Sequence, residues 1–493
     1  MSTTINTTDS SWAQQEFGPA RLVDERLVKR LVKIADDFYK QPQASIPQAS
    51  GDAGQAKATY RFFDNDDIKI DDLLAPHRQR TGERCADHQT VLMLNDTSYL
   101  EFTGHPATQG LGALSQKETL GMLIHPTLAA TLEGTPLGLA DLQIWTRPQE
   151  DFGKSHRLKE RAVAEKESQK WLNSYRATVG FQNNHPALHL VFISDRESDI
   201  FDLFDLAQAA PLEARLEPTA KRPDLLIRVA QNRCLVPTDP ESSEDHIAKH
   251  LWEFLANQPL AGIYAIDVPR RDKQPARHAE LEIRFAEVMI ALPKGQPKRG
   301  RQPVKLWAIW AHEKNPAAGV EPISWMLLTT IPVTTLADAI EKIQWYTRRW
   351  LIELLFKVLK SGCRFEDRQL ETADRLQRCL VIDLVVAWRI LYMTTIGREL
   401  PNLPCTTLFE DDEWQALYGF VNQTTVLPQG VPSLQAAIRM VAKLGGFLGR
   451  KSDGEPGSKT LWLGLHRLND ITTAWRLFNP QRKKSKKTRK SCG

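Results

Sequence analysis

Two nearly continuous apolar runs, each followed directly by an aspartate, limit the possible folds of this sequence more than any other feature. Residues 187–194 are apolar at almost every position and precede Asp195, and residues 90–95 precede Asp96 in the same way. A run without alternation is typical of a central strand that other elements cover on both faces, as in α/β proteins. An aspartate after such a strand projects into a groove at the sheet edge, where its oxygens can bind a divalent cation. Taken singly, each aspartate has the alternative of an ordinary turn residue or helix cap.

The 493 residues exceed what one hydrophobic core normally organises, so we expect several domains or one large domain with additions. Hydrophobic residues make up 42% and charged residues 25% of the chain, which excludes a composition typical of disordered proteins. The formal net charge is +4, and without the seven basic residues of segment 481–490 the rest carries about −3. The overall charge therefore neither supports nor excludes nucleic-acid binding, which would need a local basic patch.

The cysteines and the apolar segments indicate the compartment. The six cysteines are scattered, with neither a C-x-x-C motif nor a zinc-binding spacing, as expected for free thiols in a reducing compartment. Residues 1–17 lack the basic and apolar regions of a signal peptide. The most apolar segment, residues 379–396, is interrupted by Asp383 and Arg389. We therefore expect a soluble cytoplasmic protein that does not enter a membrane.

The N-terminal part of the sequence predicts a compact helical head that ends near residue 80. Apolar residues recur at helical spacing over residues 21–39 with basic residues between them, which predicts an amphipathic helix with a basic face. A second helical segment, residues 56–63, follows a loop rich in proline and glycine. The candidate nucleic-acid contacts on these segments are Arg26, Arg30, Tyr60 and Arg61. The alternative for the basic face is an ordinary solvated surface.

Beyond the head, strands and helices are predicted in an order typical of an α/β core. The predicted strands are residues 90–95, 120–133, 136–145, 187–194, 225–229, 281–292, 304–311 and 324–332. The predicted helices are residues 158–177, 198–209, 336–361, 374–397, 411–422 and 433–448. The first three strands are close in sequence and favour an antiparallel meander, and the block from about 230 to 330 is mostly β.

The helix predicted at residues 336–361 carries a polar stripe on one face. The members are Tyr346, Arg349, Glu353 and Lys360, at roughly 0°, −60°, −20° and −40° for about 100° per residue, with Lys357 at about +20°. In such a stripe the carboxylate can complete a metal site while the cations contact phosphates. The alternative is a solvent-exposed face stabilised by two ion pairs of the glutamate at i, i+4 spacing.

This spacing, Tyr346-x-x-Arg349-x3-Glu353-x6-Lys360, resembles the Y-R-E-K signature of the IS-four family of bacterial insertion-sequence transposases. The whole chain, from about residue 21 to about residue 475, resembles the transposon-five type of cut-and-paste transposase. The other motifs that carry the resemblance are Tyr60-Arg61-Phe62-Phe63, Asn95-Asp96-Thr97-Ser98, Asp195-Arg196-Glu197-Ser198-Asp199, Trp325-Met326-Leu327-Leu328-Thr329-Thr330 and Leu444-Gly445-Gly446-Phe447. The resemblance is specific because several separated motifs occur in the family's order.

The resemblance implies an α/β fold class with a ribonuclease-H-like catalytic core and flanking helical domains. The implied domains are a helical N-terminal DNA-binding domain (1–80), the catalytic core (81–372) with a mostly β insertion at about 230–330, a helical C-terminal dimerisation domain (373–480) and a basic disordered tail (481–493). It also implies a bacterial cytoplasmic protein that joins the nucleoid when bound to DNA.

The resemblance further implies the residues of the active site. Asp96, Asp195 and Glu353 would form a DDE triad that binds two Mg²⁺ or Mn²⁺ ions. Tyr346, Arg349 and Lys360 would hold phosphates of the DNA end, and Trp325 would stack on an extruded base. The remaining implied DNA contacts are Arg196, Arg228 and Lys357.

The implied activity is cut-and-paste transposition by a homodimer that synapses two transposon ends. The protein would bind double-stranded DNA at terminal inverted repeats, cleave through a hairpin intermediate, and join 3′-OH ends to target DNA. One alternative is a catalytically silent or inhibitory DNA-binding relative, and another is a metal-dependent nuclease that cuts without joining. The sequence departs from the family pattern at Ala230, where a basic residue is usual, and at the apolar residues 354–356. The basic tail is interpreted either as a DNA-binding arm or as a solubilising end.

Overall fold

The computed structural model describes residues 11–114, 118–147, 167–208, 222–236, 250–268, 276–293, 301–317, 319–451 and 453–479. The basic tail 481–493, most of the Lys/Arg-rich loop 294–302 and the first part of the helix expected at 158–177 lie outside these ranges.

Helices form the two ends of the described chain and strands form its middle. The helices are α1 (Trp12–Phe17), α2 (Glu25–Lys40), α3 (Ile46–Ser50), α4 (Ala53–Phe63), α5 (Ile70–Cys85), α6 (Gln169–Asn184), α7 (Phe201–Gln208), α8 (Leu251–Ala256), α9 (Leu336–Thr347), α10 (Trp350–Lys357), α11 (Ala373–Glu399), α12 (Asp411–Val421), α13 (Leu434–Leu444) and α14 (Ser458–Phe478). The strands are β1 (Thr90–Asn95), β2 (Ser98–Glu101), β3 (Gly112–Ala113), β4 (Leu120–Ala130), β5 (Pro136–Trp145), β6 (His189–Ser194), β7 (Asp224–Arg228), β8 (Leu235–Val236), β9 (Gly262–Val268), β10 (Arg277–Ile290), β11 (Val304–Glu313) and β12 (Ser324–Thr329).

Five strands form a ribonuclease-H-like core sheet in the order β5, β4, β1, β6 and β7. β4 runs antiparallel to β1 and β5, whereas β1, β6 and β7 are mutually parallel. The two parallel connections contain α6 and α7, as crossovers between parallel strands require. The predicted fold class and the antiparallel meander of the first three strands are confirmed.

β6 is the central strand that its apolar run predicted. Val191 and Ile193 belong to one hydrophobic cluster, and Phe192 between them belongs to another on the opposite face. Successive side chains of a strand point to opposite faces, so a strand buried on both sides must be apolar at every position. This burial fixes the end of β6, and with it the position of Asp195.

The β insertion continues the core sheet. β12 pairs antiparallel with β7, with Leu328 opposite Ile227, and β11 and β10 follow in the same sheet. The insertion also contains the short helix α8, which the sequence pattern did not predict. Residues on β12 and β11 therefore extend directly from the core sheet.

Helix α11 is long and apolar enough to cross a membrane, but 89% of its most apolar window is buried inside the protein. Its buried Asp383 accepts hydrogen bonds from Arg368 at 2.8 and 2.9 Å, and Arg368 also donates to the carbonyl oxygen of Ala44. Arg378 of α11 donates to the carbonyl oxygens of Phe63 and Ile68. Helix α11 is therefore a core helix to which the N-terminal head is fastened.

The prediction of one continuous helix over residues 336–361 is wrong. Between α9 and α10 the backbone bonds run i to i−3, from the amides of Arg348, Arg349 and Ile352, and the segment Val358–Gly362 forms a π turn. The guanidinium of Arg348 donates to the carbonyl oxygen of Leu132 at 2.9 Å, which holds this junction against the β4–β5 turn. In an i to i−3 turn, residues three apart lie above one another, so Tyr346 and Arg349 are closer to eclipsed than in a regular helix.

Candidate active site and DNA interface

Two of the three predicted acids lie at the same edge of the core sheet. Asp96 follows β1 and Asp195 follows β6, and these strands are parallel neighbours with Leu94 opposite Ile193. Both carboxylates therefore emerge at the carboxyl ends of adjacent strands. Asp195 also accepts a hydrogen bond from the amide of Glu197 at 3.0 Å, which fixes its side chain over the following turn.

Glu353 on α10 reaches this edge through Arg349. The guanidinium of Arg349 donates to Asp96 Oδ2 at 2.7 Å through Nη1 and to Glu353 Oε1 at 2.5 Å through Nη2. One cation thus bridges two of the predicted triad members, and the i, i+4 pair of Arg349 with Glu353 is only half of its contacts.

The charges of both other predicted acids act on Asp96. Burial raises the pKa of Asp96 to about 6, and Arg349 opposes this rise. The negative charges of Asp195 and Glu353 raise the pKa of Asp96 further, while the amide of Thr97, which donates to Asp96 Oδ1 at 2.7 Å, lowers it. Three mutually repelling carboxylates at one sheet edge favour a bound cation.

The carboxylate oxygens of the three acids suit a divalent cation, but the guanidinium of Arg349 lies between Asp96 and Glu353. Carboxylate oxygens are the ligands that Mg²⁺ prefers. Among the residues that the structure describes, no group of three or more His, Cys, Asp or Glu side chains is close enough to hold one ion. A cation shared by Asp96 and Glu353 therefore requires Arg349 to release at least one of them.

A second cluster lies beside the acids on one face of the sheet. The ring of Tyr346, 5% exposed, meets the ring of Trp325 edge-on with centroids 5.8 Å apart. Burial raises the pKa of the Tyr346 hydroxyl, and the guanidinium groups of Arg349 and Arg228, which lie within its hydrogen-bonding reach, lower it. Arg228 Nη2 also donates to the carbonyl oxygen of Ser324 at 3.2 Å. The structure thus brings Tyr346, Arg349, Arg228 and Trp325 together.

The two predicted lysines follow Glu353 in the sequence and lie away from the acids. Lys360 lies in the π turn, where its Nζ is 3.8 Å from Glu366 Oε1. Lys357 is exposed at the end of α10. Within the described ranges, neither lysine forms an ion pair with Asp96, Asp195 or Glu353.

The residues of the motif at 195–199 differ in their surroundings. Arg196 is exposed, and Glu197 pairs with Lys170 Nζ at 3.0 Å. Ser198 donates to the carbonyl oxygen of Asp195 at 2.8 Å. Asp199 is 1% exposed and pairs with Arg233. The motif therefore joins one predicted catalytic acid to three structural contacts.

Sequence reasoning missed the buried members of these pairs. Lys170 is 8% exposed and lies in the helix that the sequence predicted at residues 158–177. The position of Asp199 in the motif could have indicated an ion pair, since a carboxylate so close to a predicted catalytic acid needs a partner. No local pattern indicated Arg233 or Lys170, because both partners come from other elements.

The predicted contacts of the N-terminal head occupy different environments. Arg26 is 89% exposed and pairs with Asp24 at 2.6 Å, and Arg61 is exposed on α4. Arg30 donates to Gln55 Oε1 at 2.6 Å and so links α2 to α4. Tyr60 is half-buried against the main hydrophobic cluster. Arg26 and Arg61 are therefore the members most accessible to a DNA backbone.

Three family models match the chain and together cover more than half of it. The transposase DNA-binding model matches residues 9–68, the transposase DDE domain model matches residues 264–388, and the transposase Tn5 dimerisation domain model matches residues 385–478. Glu353 lies within the matched DDE region, whereas Asp96 and Asp195 precede it.

Among solved structures, a synaptic complex of piggyBac transposase with hairpin DNA is similar over 77% of this chain and 68% of that chain, with 9% identity and a TM-score of 0.32. The family models alone carry the assignment, and they occur in the order DNA-binding, DDE and dimerisation. This chain belongs to the DDE transposases of the Tn5 and IS-four type.

Proposed function

We propose that this DNA transposase cuts its own insertion sequence at terminal inverted repeats and joins the released 3′-OH ends to target DNA. The observation that carries the proposal is the convergence of Asp96, Asp195 and Glu353 at one sheet edge, where Arg349 bridges Asp96 and Glu353 and the charges of Asp195 and Glu353 raise the pKa of Asp96. A site with three carboxylates and adjacent arginines suits phosphoryl transfer, because carboxylates bind cations and arginines bind phosphates.

The three carboxylates are proposed to hold two divalent cations, Mg²⁺ or Mn²⁺, since carboxylate oxygens are the ligands that such hard cations prefer. Two such ions would activate the attacking oxygen and stabilise the leaving oxygen of an in-line displacement. The Asp96 side chain is 19% exposed, against 32% for Glu353, and its contact with the Thr97 amide keeps one carboxylate oxygen oriented. Asp96 therefore supplies a fixed ligand position.

Arg349 is proposed to leave its bridge when cations bind and to contact a phosphate of the DNA end. Its guanidinium already lies within reach of Tyr346 and next to both acids, so the movement requires only side-chain rotation. Arg228 on the same face would hold a neighbouring phosphate, and Trp325 would stack on an extruded base. Lys360 and Lys357 are proposed as outer phosphate contacts, since neither reaches the acids.

The reaction order follows from the implied cut-and-paste chemistry. Water attacks the phosphodiester at the transposon end, and the 3′-OH leaves with the proton that water loses. This 3′-OH attacks the opposite strand, which closes a hairpin and releases the flanking DNA. A second water opens the hairpin and restores the 3′-OH, which then attacks a phosphodiester of target DNA and displaces a 3′-OH of the target strand. We place this reaction in a homodimer that pairs two ends in the bacterial cytoplasm.

Incubation with labelled DNA that carries the element's terminal repeat, in Mg²⁺ or Mn²⁺, tests the proposal on a denaturing gel. We expect metal-dependent strand release and a hairpin from the wild type, and neither product from Glu353→Gln. The matched control is Glu371→Gln, since the Glu371 side chain is 81% exposed and pairs with Arg375 away from the acids. Strand release that persists in Glu353→Gln would contradict the triad.

The bridge of Arg349 between two acids favours one alternative, a catalytically silent DNA-binding relative. Such a protein would bind the terminal repeat in a mobility-shift assay and release no strand at any metal concentration. A nuclease that cuts without joining would release strands and leave target DNA unlabelled. The same gel, with a target plasmid added, separates the three outcomes.

A further inference from the structure

A cleft on the far face of the sheet lies directly beside Asp195. It has a volume of about 90 Å³. Its lining residues are Arg196, Val229, Trp252, Trp310, Ser324 and Met326. Trp252 is 46% exposed, and Arg196 next to the predicted catalytic acid is exposed at the rim. The cleft therefore combines two indole rings with one guanidinium.

The strand register separates this cleft from the cluster of Tyr346 and Trp325. Trp310 on β11 lies opposite Met326 on β12, so both point to the same face. Trp325 is the neighbour of Met326 along β12 and points to the other face. The hydrophobic clusters agree, since Met326 and Trp310 belong to one and Trp325 to another.

Hydrogen bonds around the buried Asp199 hold one wall of the cleft. Asp199 accepts from the amides of Ala230 and Gln231 at 2.8 and 2.9 Å and pairs with Arg233, which fixes the loop after β7. In that loop Asn232 Oδ1 accepts the amide of Trp252 at 3.0 Å, so the same loop positions α8.

The opposite wall is fixed in the same way. Trp310 Nε1 donates to Ser324 Oγ at 3.2 Å. The ring of His312 stacks on Trp310 at a centroid distance of 5.2 Å. The rotamer of Trp310 is therefore fixed before any ligand binds, which lowers the entropy cost of stacking on it.

We propose that this cleft is a second nucleotide site, which takes one unpaired nucleotide with its base against Trp252 and Trp310 and its phosphate on Arg196. Bases stack on aromatic side chains whatever their sequence, and a guanidinium pairs with phosphate. A cleft of about 90 Å³ excludes a duplex and is smaller than a purine base, so one base would enter it in part and stack on the exposed indole surface. The proposal rests on DNA as the substrate and adds a nucleotide site on the face opposite Trp325.

The first test measures binding of a 12-nucleotide single strand that contains 2-aminopurine, in EDTA so that no cleavage occurs. We expect quenching of the 2-aminopurine fluorescence on binding. Trp252→Ala and Trp310→Ala should each weaken binding about tenfold or more and reduce the quenching. Trp252→Phe and Trp310→Phe keep an aromatic ring and should retain most of the affinity, and they also control for folding. Trp325→Ala is measured alongside, to separate this cleft from the stacking site proposed on the other face, and Leu260→Ala, at a 46% exposed position outside the cleft, should retain the quenching.

Unchanged affinity and quenching in both alanine variants would overturn the proposal, as would a loss confined to Trp325→Ala. A second test is the salt dependence of the same binding. Arg196→Gln should reduce the slope of log affinity against log salt by about 0.7, the value for one phosphate contact on a single strand. An unchanged slope would remove Arg196 from the site. Because the binding is measured without metal, its outcome does not depend on the outcome of the cleavage assay with Glu353→Gln.

Discussion

The guanidinium of Arg349 determines the charge balance of the candidate active site. It is 14% exposed and contacts carboxylates that come from a strand end and from a helix. The sequence placed Arg349 in the polar stripe, and either an ion pair with Glu353 or a phosphate contact explained it there. The structure adds the contact with Asp96, which is 253 residues away in the sequence. No local pattern indicates that contact.

Replacement of Arg349 tests whether the arginine acts on the DNA or only neutralises the acids. Arg349→Gln should slow single-turnover strand cleavage by about 10²-fold, the usual loss when a charged donor is removed from a phosphoryl-transfer site. Arg349→Lys should fall between this variant and the wild type, because a lysine keeps the charge but cannot form the two-pronged contact. Arg364→Gln is the matched control, since the Arg364 side chain is 56% exposed and pairs with Asp367 instead of the acids. Cleavage by Arg349→Gln at or above the wild-type rate would show that Arg349 only occupies the position of a cation.

Asp141 on β5 provides a pH test of folding stability away from the active site. Burial raises its pKa from 3.8 to about 6, and Arg78 only partly opposes the rise. Because the folded state binds the proton more tightly than the unfolded state does, protonated Asp141 stabilises the fold at low pH. This stabilisation is lost as the pH rises from about 3.8 through about 6. We expect Asp141→Asn to melt at a higher temperature than the wild type at pH 7.5 and to lose this advantage at pH 4.

Thermal melting at several pH values measures the effect. Asp267→Asn serves as control, since the Asp267 side chain is 84% exposed. An advantage of Asp141→Asn that is equal at both pH values would mean that the carboxylate is not the cause.

At the scale of elements, the strands of the core were predictable because burial on two faces leaves a long apolar run. β1 was predicted at its observed bounds, and β6 within two residues. The junction between α9 and α10 was not predictable, since Arg348 and Arg349 there are anchored by Leu132 and Asp96, which are distant in sequence. Helix α14 was missed as well, although the resemblance extended to about residue 475.

The candidate site was also predictable only in part, because its geometry depends on residues that are distant in sequence. The order of the motifs indicated Asp96, Asp195 and Glu353, but the face on which each aromatic residue lies depends on strand register. Trp310 and Trp325 both lie on neighbouring strands, and only the pairing of β11 with β12 shows that they point to opposite sides.

Helix α11 fastens the N-terminal head, and Arg378 tests this function. Its side chain is 9% exposed and donates to two backbone carbonyls and to Asp66 of the head. Arg378→Met should leave these buried carbonyl oxygens without a charged donor and loosen the segment from Phe63 to Ile68. Hydrogen exchange by mass spectrometry should then be faster in this segment and unchanged in β1. Arg26→Met, at an 89% exposed position of the same head, should leave the exchange unchanged. Equal exchange in wild type and Arg378→Met would show that other contacts hold the head.

At the scale of the whole molecule, the three matched regions are physically joined. The DNA-binding region contacts α11 through Arg368 and Arg378, and α11 itself spans the boundary between the DDE and dimerisation matches. The predicted domain boundary at residue 80 falls inside α5, and that at 373 coincides with the start of α11. The three matched regions are therefore connected through one buried helix.

The dimerisation region leaves apolar side chains exposed at the end of α14, where a second subunit is expected to cover them. Leu477 is 72% exposed and Phe478 is 84% exposed, and both lie in the matched dimerisation domain. Full burial of each would contribute about 1.5–3 kcal/mol, so replacing both with serine should raise the dimer dissociation constant about a hundredfold or more. Light scattering on complexes with terminal-repeat DNA should then show monomers where the wild type forms dimers. Val23→Ser, at an 82% exposed apolar position in the head, should leave the dimer intact. Dimers of Leu477→Ser/Phe478→Ser at the wild-type concentration would place the interface on another surface of the domain.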